Sequence, residues 1–119
     1  MKYSFEKLDV WEKSKDFTVK VYRITKSFPG EEKFGLISQL RRASVSVSSN
    51  IAEGSSRKSL KEQGRFYNIA YSSAIEVLNQ LIISKELELL TIDDYQDLRE
   101  NIEHITAMLN KLHNATKNN

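Results

Sequence analysis

The fold is decided by the stretch Gln39-Leu40-Arg41-Arg42-Ala43-Ser44-Val45-Ser46-Val47-Ser48-Ser49-Asn50-Ile51-Ala52-Glu53-Gly54. Its apolar residues recur every three or four positions, as they do along one face of a helix: Leu40, Ala43, Val47 and Ile51. Residues 45–47 alternate as a strand would, but the chain offers no second strand pattern to pair with, and a lone strand is unstable. The stretch therefore predicts a helix that begins near Gly35 and ends with Gly54 as its C-cap.

Three further helices are predicted around this one, because the chain has one proline and four glycines in 119 residues. Helix one is expected over residues 8–28, where the single proline ends it. Helices three and four are expected over residues 59–90 and 91–113, each opened by a hydroxyl residue with an acidic residue three positions later. The expectation is one all-α domain, residues 5–113, built as an antiparallel up-down-up-down four-helix bundle, with a frayed tail at residues 114–119.

Composition narrows the classes of protein. The chain has no cysteine, which excludes disulfides and thiolate metal sites and favours an intracellular protein. Its net charge is +2. No stretch approaches the roughly 18 apolar residues of a membrane span, so a cytoplasmic protein without a membrane partner is expected. The charge is uneven: residues 33–85 hold eight Lys or Arg against three Asp or Glu, and residues 86–119 hold three against seven.

Helices one and three carry more apolar residues than one core-facing stripe requires. The surplus either widens the core or covers another copy of the chain, and a surplus of this kind on a small protein favours an interface. The residues expected at a subunit interface are Trp11, Tyr22, Tyr67, Tyr71, Leu78 and Ile82.

Basic residues concentrate on helix two and at the start of helix three. Guanidinium and ammonium groups beside short hydroxyls suit phosphate binding. The alternative is a solubilising surface, since a charge of +2 is far from that of strongly basic nucleic-acid-binding domains. Repetition of the same surface in each subunit of a ring would strengthen its field. The residues expected to contact nucleic acid are Arg41, Arg42, Arg57, Lys58, Lys61 and Arg65.

Polar residues on helices two and three allow a catalytic or a structural interpretation. The group comprises Asn50, Glu53, Ser73 and Glu76, whose carboxylates resemble an acid–base pair. A hydrogen-bonded network between helices is favoured, with a Lys or Arg near Glu53 to offset the dipole of the helix end. A di-metal centre would need Glu three residues before each histidine, and asparagine stands there instead. No catalytic residue, metal or cofactor is expected.

Several short motifs resemble a known family. They are Val10-Trp11, Phe28-Pro29, Gly35-Leu36, Arg65-Phe66-Tyr67-Asn68-Ile69-Ala70 and, most specifically, Ser49-Asn50-Ile51-Ala52-Glu53-Gly54 followed by Arg57. Over residues 5–90 they resemble the "four helix bundle protein" family, which is encoded within intervening sequences of bacterial 23S ribosomal RNA genes. This family is similar to the accessory protein of diversity-generating retroelements. Ser72 stands where the family usually has Gly, and Leu78 where it often has a carboxylate.

The resemblance implies a helical bundle that assembles into a ring, commonly a homopentamer, with nucleic acid as its partner. It implies no known reaction. Together with the residue patterns, it predicts a non-enzymatic oligomer that binds RNA or DNA through the phosphate backbone. The alternative is an adaptor ring that holds a protein partner, such as a reverse transcriptase.

Overall fold

The computed structural model describes residues 2–117. Four α-helices make up most of this part: α1 (Asp9–Thr25), α2 (Ser38–Ser55), α3 (Leu60–Glu86) and α4 (Ile92–Ala115). Short 3-10 turns at Ser4–Lys7 and Gly30–Glu32, and a π-helical turn at Lys33–Ile37, lie outside them. Residues 2–117 contain no β-strand, so the all-α prediction is confirmed.

Helices α3 and α4 begin where the sequence predicts. The Ser59 hydroxyl accepts a hydrogen bond of 3.1 Å from the backbone N–H of Glu62. The Thr91 hydroxyl accepts one of the same length from the N–H of Asp94. Each bond satisfies an amide that the first turn of a helix would otherwise leave without a partner.

The connection between α1 and α2 departs from the prediction at both ends. Helix α1 ends at Thr25, three residues before the predicted Phe28, although Phe28 remains buried. Helix α2 begins at Ser38 because Gly35, with φ −108° and ψ −113°, is not helical. The backbone kinks at Gly35 instead, within the turn at Lys33–Ile37.

Helix α3 is shorter at its C-terminus than predicted, ending at Glu86. Glu88 adopts φ 60°, in the left-handed region. The N–H groups of Glu88 and Leu89 donate 2.9 Å hydrogen bonds to the carbonyls of Lys85 and Ser84. This is the Schellman arrangement, formed here with glutamate at the position that usually holds glycine.

Two predictions about where helices end need correction. Helix α4 continues to Ala115, so the predicted tail at residues 114–119 begins as helix, and the Thr116 hydroxyl donates a 2.6 Å hydrogen bond to the His113 carbonyl. Asn118 and Asn119, which belong to the predicted tail, lie outside the described residues. Gly54 does not cap α2, because the helix continues through Ser55 and no described glycine has a positive φ.

The core consists of the predicted apolar stripes, one from each helix. Helix α1 packs against α2 and α4, and α3 packs against α2 and α4, so the four helices enclose one core. Its largest fully buried apolar side chains are Leu40, Ile51, Leu81, Leu98, Ile102, Ile105 and Leu109.

Helices α2 and α3 run in opposite directions. The side-chain amide of Gln80 donates a 3.4 Å hydrogen bond to the side-chain oxygen of Gln39, and the hydroxyls of Ser46 and Ser73 lie 2.8 Å apart. Later residues of α2 therefore pair with earlier residues of α3. We call the end of α2 that begins after the π-helical turn the Phe34 end, and the end that leads into α3 the Arg57 end. Helix α2 has 18 residues, which places the two ends about 27 Å apart.

Four of the six residues predicted at a subunit interface pack within their own subunit. Tyr67 is only 4% exposed, and Trp11, Tyr71 and Leu78 are half-buried against the core. The prediction is corrected for Tyr67 alone, because α3 contacts two helices and its second stripe also serves the core; the other five residues stay predictions. Tyr22 and Ile82 are exposed. So are other large apolar residues on α3 and at its C-cap, which we call the exposed α3 stripe: Ile69, Ile75, Ile82, Ile83 and Leu87.

Candidate nucleic-acid interface

The six basic residues predicted to bind nucleic acid form two groups rather than one surface. Arg57 and Lys58 lie in the connection between α2 and α3, and Lys61 and Arg65 lie on the first turns of α3. Arg41 and Arg42 lie on the first turn of α2, at the Phe34 end. The 13 positions from Arg42 to the end of α2 at Ser55 correspond to about 20 Å of helix. We call the four residues at the Arg57 end the Arg57 cluster.

Phe66 orders two arginines of the Arg57 cluster. The guanidinium carbon of Arg57 lies 4.6 Å from the centroid of the Phe66 ring, and that of Arg65 lies 5.0 Å from it. An arginine held against an aromatic face has already lost part of its side-chain freedom, which lowers the cost of binding a phosphate. Arg65 Nε also lies 3.5 Å from a carboxylate oxygen of Glu62.

The charge of this cluster opposes the stability of α3. The N-terminus of a helix carries partial positive charge, so cations there are unfavourable and anions are favourable. Among the ion pairs of residues 2–117, Arg65 is the only member of the cluster with an acidic partner. Arg57, Lys58 and Lys61 therefore remain available to an anion from outside the chain.

A cleft of about 460 Å³ lies beside the cluster, between the start of α3 and the end of α4. Lys61, Arg65 and Asn68 line it from α3. His113 and Lys117, which sequence reasoning missed, line it from the other side. The signal that could have found them is the antiparallel α3–α4 pair, which returns the end of α4 to the start of α3.

The floor of this cleft depends on close packing. Gly64 is buried beneath Thr116, and a Cβ atom placed on Gly64 would lie 2.5 Å from the Thr116 hydroxyl. Such a distance is far inside van der Waals contact, so no side chain fits at position 64 unless Thr116 moves. The turn after α4 thus helps to shape the cleft.

Arg41 is tied to α1 rather than free. Its Nε donates a 2.9 Å hydrogen bond to the Thr25 hydroxyl, and its Nη2 donates one of 3.2 Å to the Tyr22 carbonyl. Its guanidinium also lies 4.6 Å from the centroid of the Tyr22 ring. Arg42 is exposed. The two neighbouring arginines thus differ, one fixed across the helix pair and one extended into solvent.

The predicted polar network is real in part and includes residues that sequence reasoning missed. The Asn50 amide donates to the carbonyl and hydroxyl oxygens of Ser46 over 2.8 Å and 3.1 Å, and Ser46 contacts Ser73. A separate group joins Glu76 to Gln80 over 3.2 Å and Gln80 to Gln39. Periodicity identifies the small residues of α2 but not which of them face α3.

Glu53 stands apart from both polar groups. The sequence predicts a Lys or Arg beside it, but Glu53 is exposed and takes part in none of the ion pairs within residues 2–117. Because the side chain is exposed, water screens its charge and a cation beside it is not required. Glu53 and Glu76 therefore belong to different surroundings.

Residues 2–117 contain neither a cluster of metal ligands nor a membrane-spanning helix. No group of three or more His, Cys, Asp or Glu side chains is placed to hold a metal ion. None of the helices has the length and apolar character needed to cross a membrane.

Comparisons with known proteins define the class of this chain. Residues 6–111 match the family described as 23S rRNA-intervening sequence protein. The chain belongs to this family, and the resemblance seen in the sequence is confirmed. A crystal structure of a protein with unknown function from the S23 ribosomal protein family of Bacteroides thetaiotaomicron shares the fold. It has a TM-score of 0.79 and 23% identity, and the match covers 87% of this chain and 97% of that one. No curated protein matches the chain.

Proposed function

We propose that this chain is a non-enzymatic nucleic-acid-binding protein that contacts the phosphate backbone of RNA or DNA through the Arg57 cluster. We further propose that the up-down-up-down bundle assembles into a ring in the cytoplasm, and that this ring is a pentamer. The polar residues of α2 and α3 then serve the packing of the helices, and no residue acts as a catalyst.

One observation carries the proposal: within residues 2–117, three cations at or just before the start of α3 lack acidic partners, although they oppose the helix dipole. An arrangement that costs stability in the free protein has a reason if an anion occupies it. Lys117 extends the positive charge on the α4 side of the cleft. The low net charge of +2 does not weaken this reasoning, because binding depends on the local field.

A ring would strengthen the field further, since each subunit adds one Arg57 cluster. The exposed α3 stripe supports assembly, because five large apolar side chains along one helix and its C-cap form an unusual surface to leave in water. The same stripe also supports the second candidate function, an adaptor ring that holds a protein partner such as a reverse transcriptase.

The test is a fluorescence-anisotropy titration of labelled RNA and DNA at several salt concentrations. Lys58 and Lys61 make no ion pair within residues 2–117, so the double variant Lys58→Glu, Lys61→Glu changes charge without breaking the packing on Phe66. Each lost phosphate contact should reduce the log–log salt slope by about 0.7 on single strands and about 0.9 on duplex. Binding should weaken for all sequences alike, because phosphate contacts do not read bases.

A matched control reverses two exposed cations of α1, Lys15→Glu and Arg23→Glu, with the same change in net charge. We expect this variant to keep the wild-type salt slope. Its affinity should fall only by the amount that the lower net charge causes. Equal effects of the two double variants would contradict a site at the Arg57 end. Absence of binding by the wild-type protein at low salt would favour the adaptor function.

A further inference from the structure

Phe34 is the most exposed large apolar side chain among the described residues, with 89% of its surface accessible. It lies on the π-helical turn at Lys33–Ile37, next to the non-helical Gly35. A phenylalanine in water gives up the free energy that burial of its ring would provide, about 2 kcal/mol. The family motif near Gly35 and the predicted basic site did not include this residue.

A cleft of about 400 Å³ opens beside Phe34, at the end of the bundle opposite the Arg57 cluster. Three of its lining side chains are cations, and none is a carboxylate. The lining residues are Tyr22, Lys33, Phe34, Ile37, Ser38, Arg41 and Arg42.

The cations around Phe34 are placed by the structure. The Lys33 ammonium lies 5.6 Å from the centroid of the Phe34 ring, and Arg41 is fixed by Thr25 and Tyr22. Of the acidic neighbours, Glu32 accepts a 3.3 Å hydrogen bond from the N–H of Leu36. That bond holds the Glu32 carboxylate against the backbone of Leu36, and Glu32 does not line the cleft.

We propose that this cleft binds single-stranded nucleic acid, with an unpaired base stacked on Phe34 and the adjoining phosphates held by Lys33, Arg41 and Arg42. An exposed aromatic ring surrounded by cations is what single-strand-binding surfaces use, because every base has a face that can stack. Paired bases in a duplex keep their faces against each other and cannot reach the ring. The site therefore gives this protein a preference for single strands, which phosphate contacts alone do not provide.

A second copy of the chain is the competing occupant of an exposed phenylalanine. The charges decide in favour of nucleic acid: the cleft that holds Phe34 is lined by three cations and by no carboxylate, which suits a polyanion. The inference rests on the proposed function in that both need nucleic-acid binding. It differs in position, because about 20 Å of helix separates Arg42 from the end of α2 that leads to the Arg57 cluster.

The test compares Phe34→Leu and Phe34→Trp in the full chain, using a labelled polyuridine strand and a labelled duplex at one salt concentration. Leucine keeps an apolar side chain but cannot stack, and tryptophan keeps the stacking face. We expect Phe34→Leu to weaken single-strand binding at least about fivefold, the lower range for loss of one aromatic platform. We expect Phe34→Trp to bind as well as wild type, and both variants to bind duplex unchanged.

Three controls separate this inference from the proposed function. Ile92→Ala removes an exposed apolar side chain outside the exposed α3 stripe and should leave single-strand binding unchanged. Lys58→Glu, Lys61→Glu should weaken duplex and single strand alike. A fluorescent adenine analogue within the strand should lose emission on binding to wild type, as stacked analogues do, and should keep it with Phe34→Leu.

Two results would overturn the inference. Equal single-strand affinity for wild type and Phe34→Leu, with duplex binding intact, would remove the stacking site and leave the Arg57 cluster standing. A fall in oligomer mass caused by Phe34→Leu, without a selective loss of single-strand binding, would assign Phe34 to a contact between copies.

Discussion

Gly54 and Tyr67 are in contact across α2 and α3 at a distance that admits no further atom. A Cβ placed on Gly54 would lie 2.7 Å from Cε1 and 2.9 Å from Cδ1 of the Tyr67 ring, and 3.0 Å from Cβ of Phe66. Phe66 and Tyr67 both lie on α3, directly after Arg65 of the Arg57 cluster. The glycine therefore sets how closely the end of α2 approaches the helix that carries the candidate site.

Gly54→Ala should destabilise the protein. Alanine would gain up to about 1 kcal/mol in helix propensity, but the clash with two aromatic residues costs about 1–3 kcal/mol in a packed core, so the clash outweighs the gain. Urea denaturation should show the loss. Gly30→Ala is the control, because a Cβ at Gly30 meets no atom within 4 Å, and it should be neutral or slightly stabilising.

Glu88→Gly should stabilise the protein by about 1 kcal/mol. Glu88 has φ 60°, a region that costs an L-residue with a Cβ but not glycine, and its N–H already forms the Schellman hydrogen bond. Thermal unfolding followed by circular dichroism should show a higher midpoint. The opposite sign is expected for Glu86→Gly, because Glu86 is the last residue of α3 and loses helix propensity. A lower midpoint for Glu88→Gly would contradict the left-handed conformation.

Ser44→Ala should also stabilise the protein by about 1 kcal/mol. Ser44 is fully buried, and its hydroxyl has no hydrogen-bond partner among the described residues. The hydroxyl therefore loses its hydrogen bonds to water without gaining one in the protein. Ser14→Ala is the matched control. Ser14 is equally buried, but its hydroxyl donates a 2.7 Å hydrogen bond to the Val10 carbonyl, so no such gain is expected there. Equal gains at both positions would point to helix propensity alone.

Stability should fall in alkaline solution partly because of Tyr67. Burial raises the pKa of its hydroxyl above the ordinary value of 10.0. The unfolded chain therefore releases this proton first, so the contribution is intact below about pH 10 and is lost as the pH rises through the higher pKa of the folded state. Tyr67→Phe should flatten the fall of the unfolding midpoint above about pH 10. Identical alkaline slopes for both proteins would refute the assignment.

Assembly should depend on the exposed α3 stripe. Ile75→Asp with Ile82→Asp would place charges in an apolar contact, at a cost of several kcal/mol if another subunit covers them. Light scattering after size exclusion should show a lower mass with the helical content retained. Gln96→Asp on α4 is an exposed control that should keep the wild-type mass. A wild-type mass equal to one 13.7 kDa chain would refute the ring.

The sequence predicts the buried stripes well, because side chains such as Leu40 and Ile51 repeat with the period of the helix. It fails where distant residues or backbone torsions decide. The position of Arg57 over Phe66 depends on the turn between α2 and α3. The hydrogen bonds of Arg41 to α1 depend on the path of the connection between α1 and α2. The non-helical torsions of Gly35 leave no periodic signal. The separation of Arg41 and Arg42 from the Arg57 cluster follows from helix length, which the sequence does contain.

The bonds of Arg41 constrain how this protein can change over generations. The side chain joins α2 to the carbonyl and hydroxyl oxygens at the end of α1, using two of its nitrogens, and stacks on Tyr22. A lysine offers one nitrogen and no flat face, so it cannot take over these contacts together. Selection for folding alone should therefore preserve an arginine at position 41, even in descendants that no longer bind any ligand. Arg42, next to it and free, should drift with the ligand.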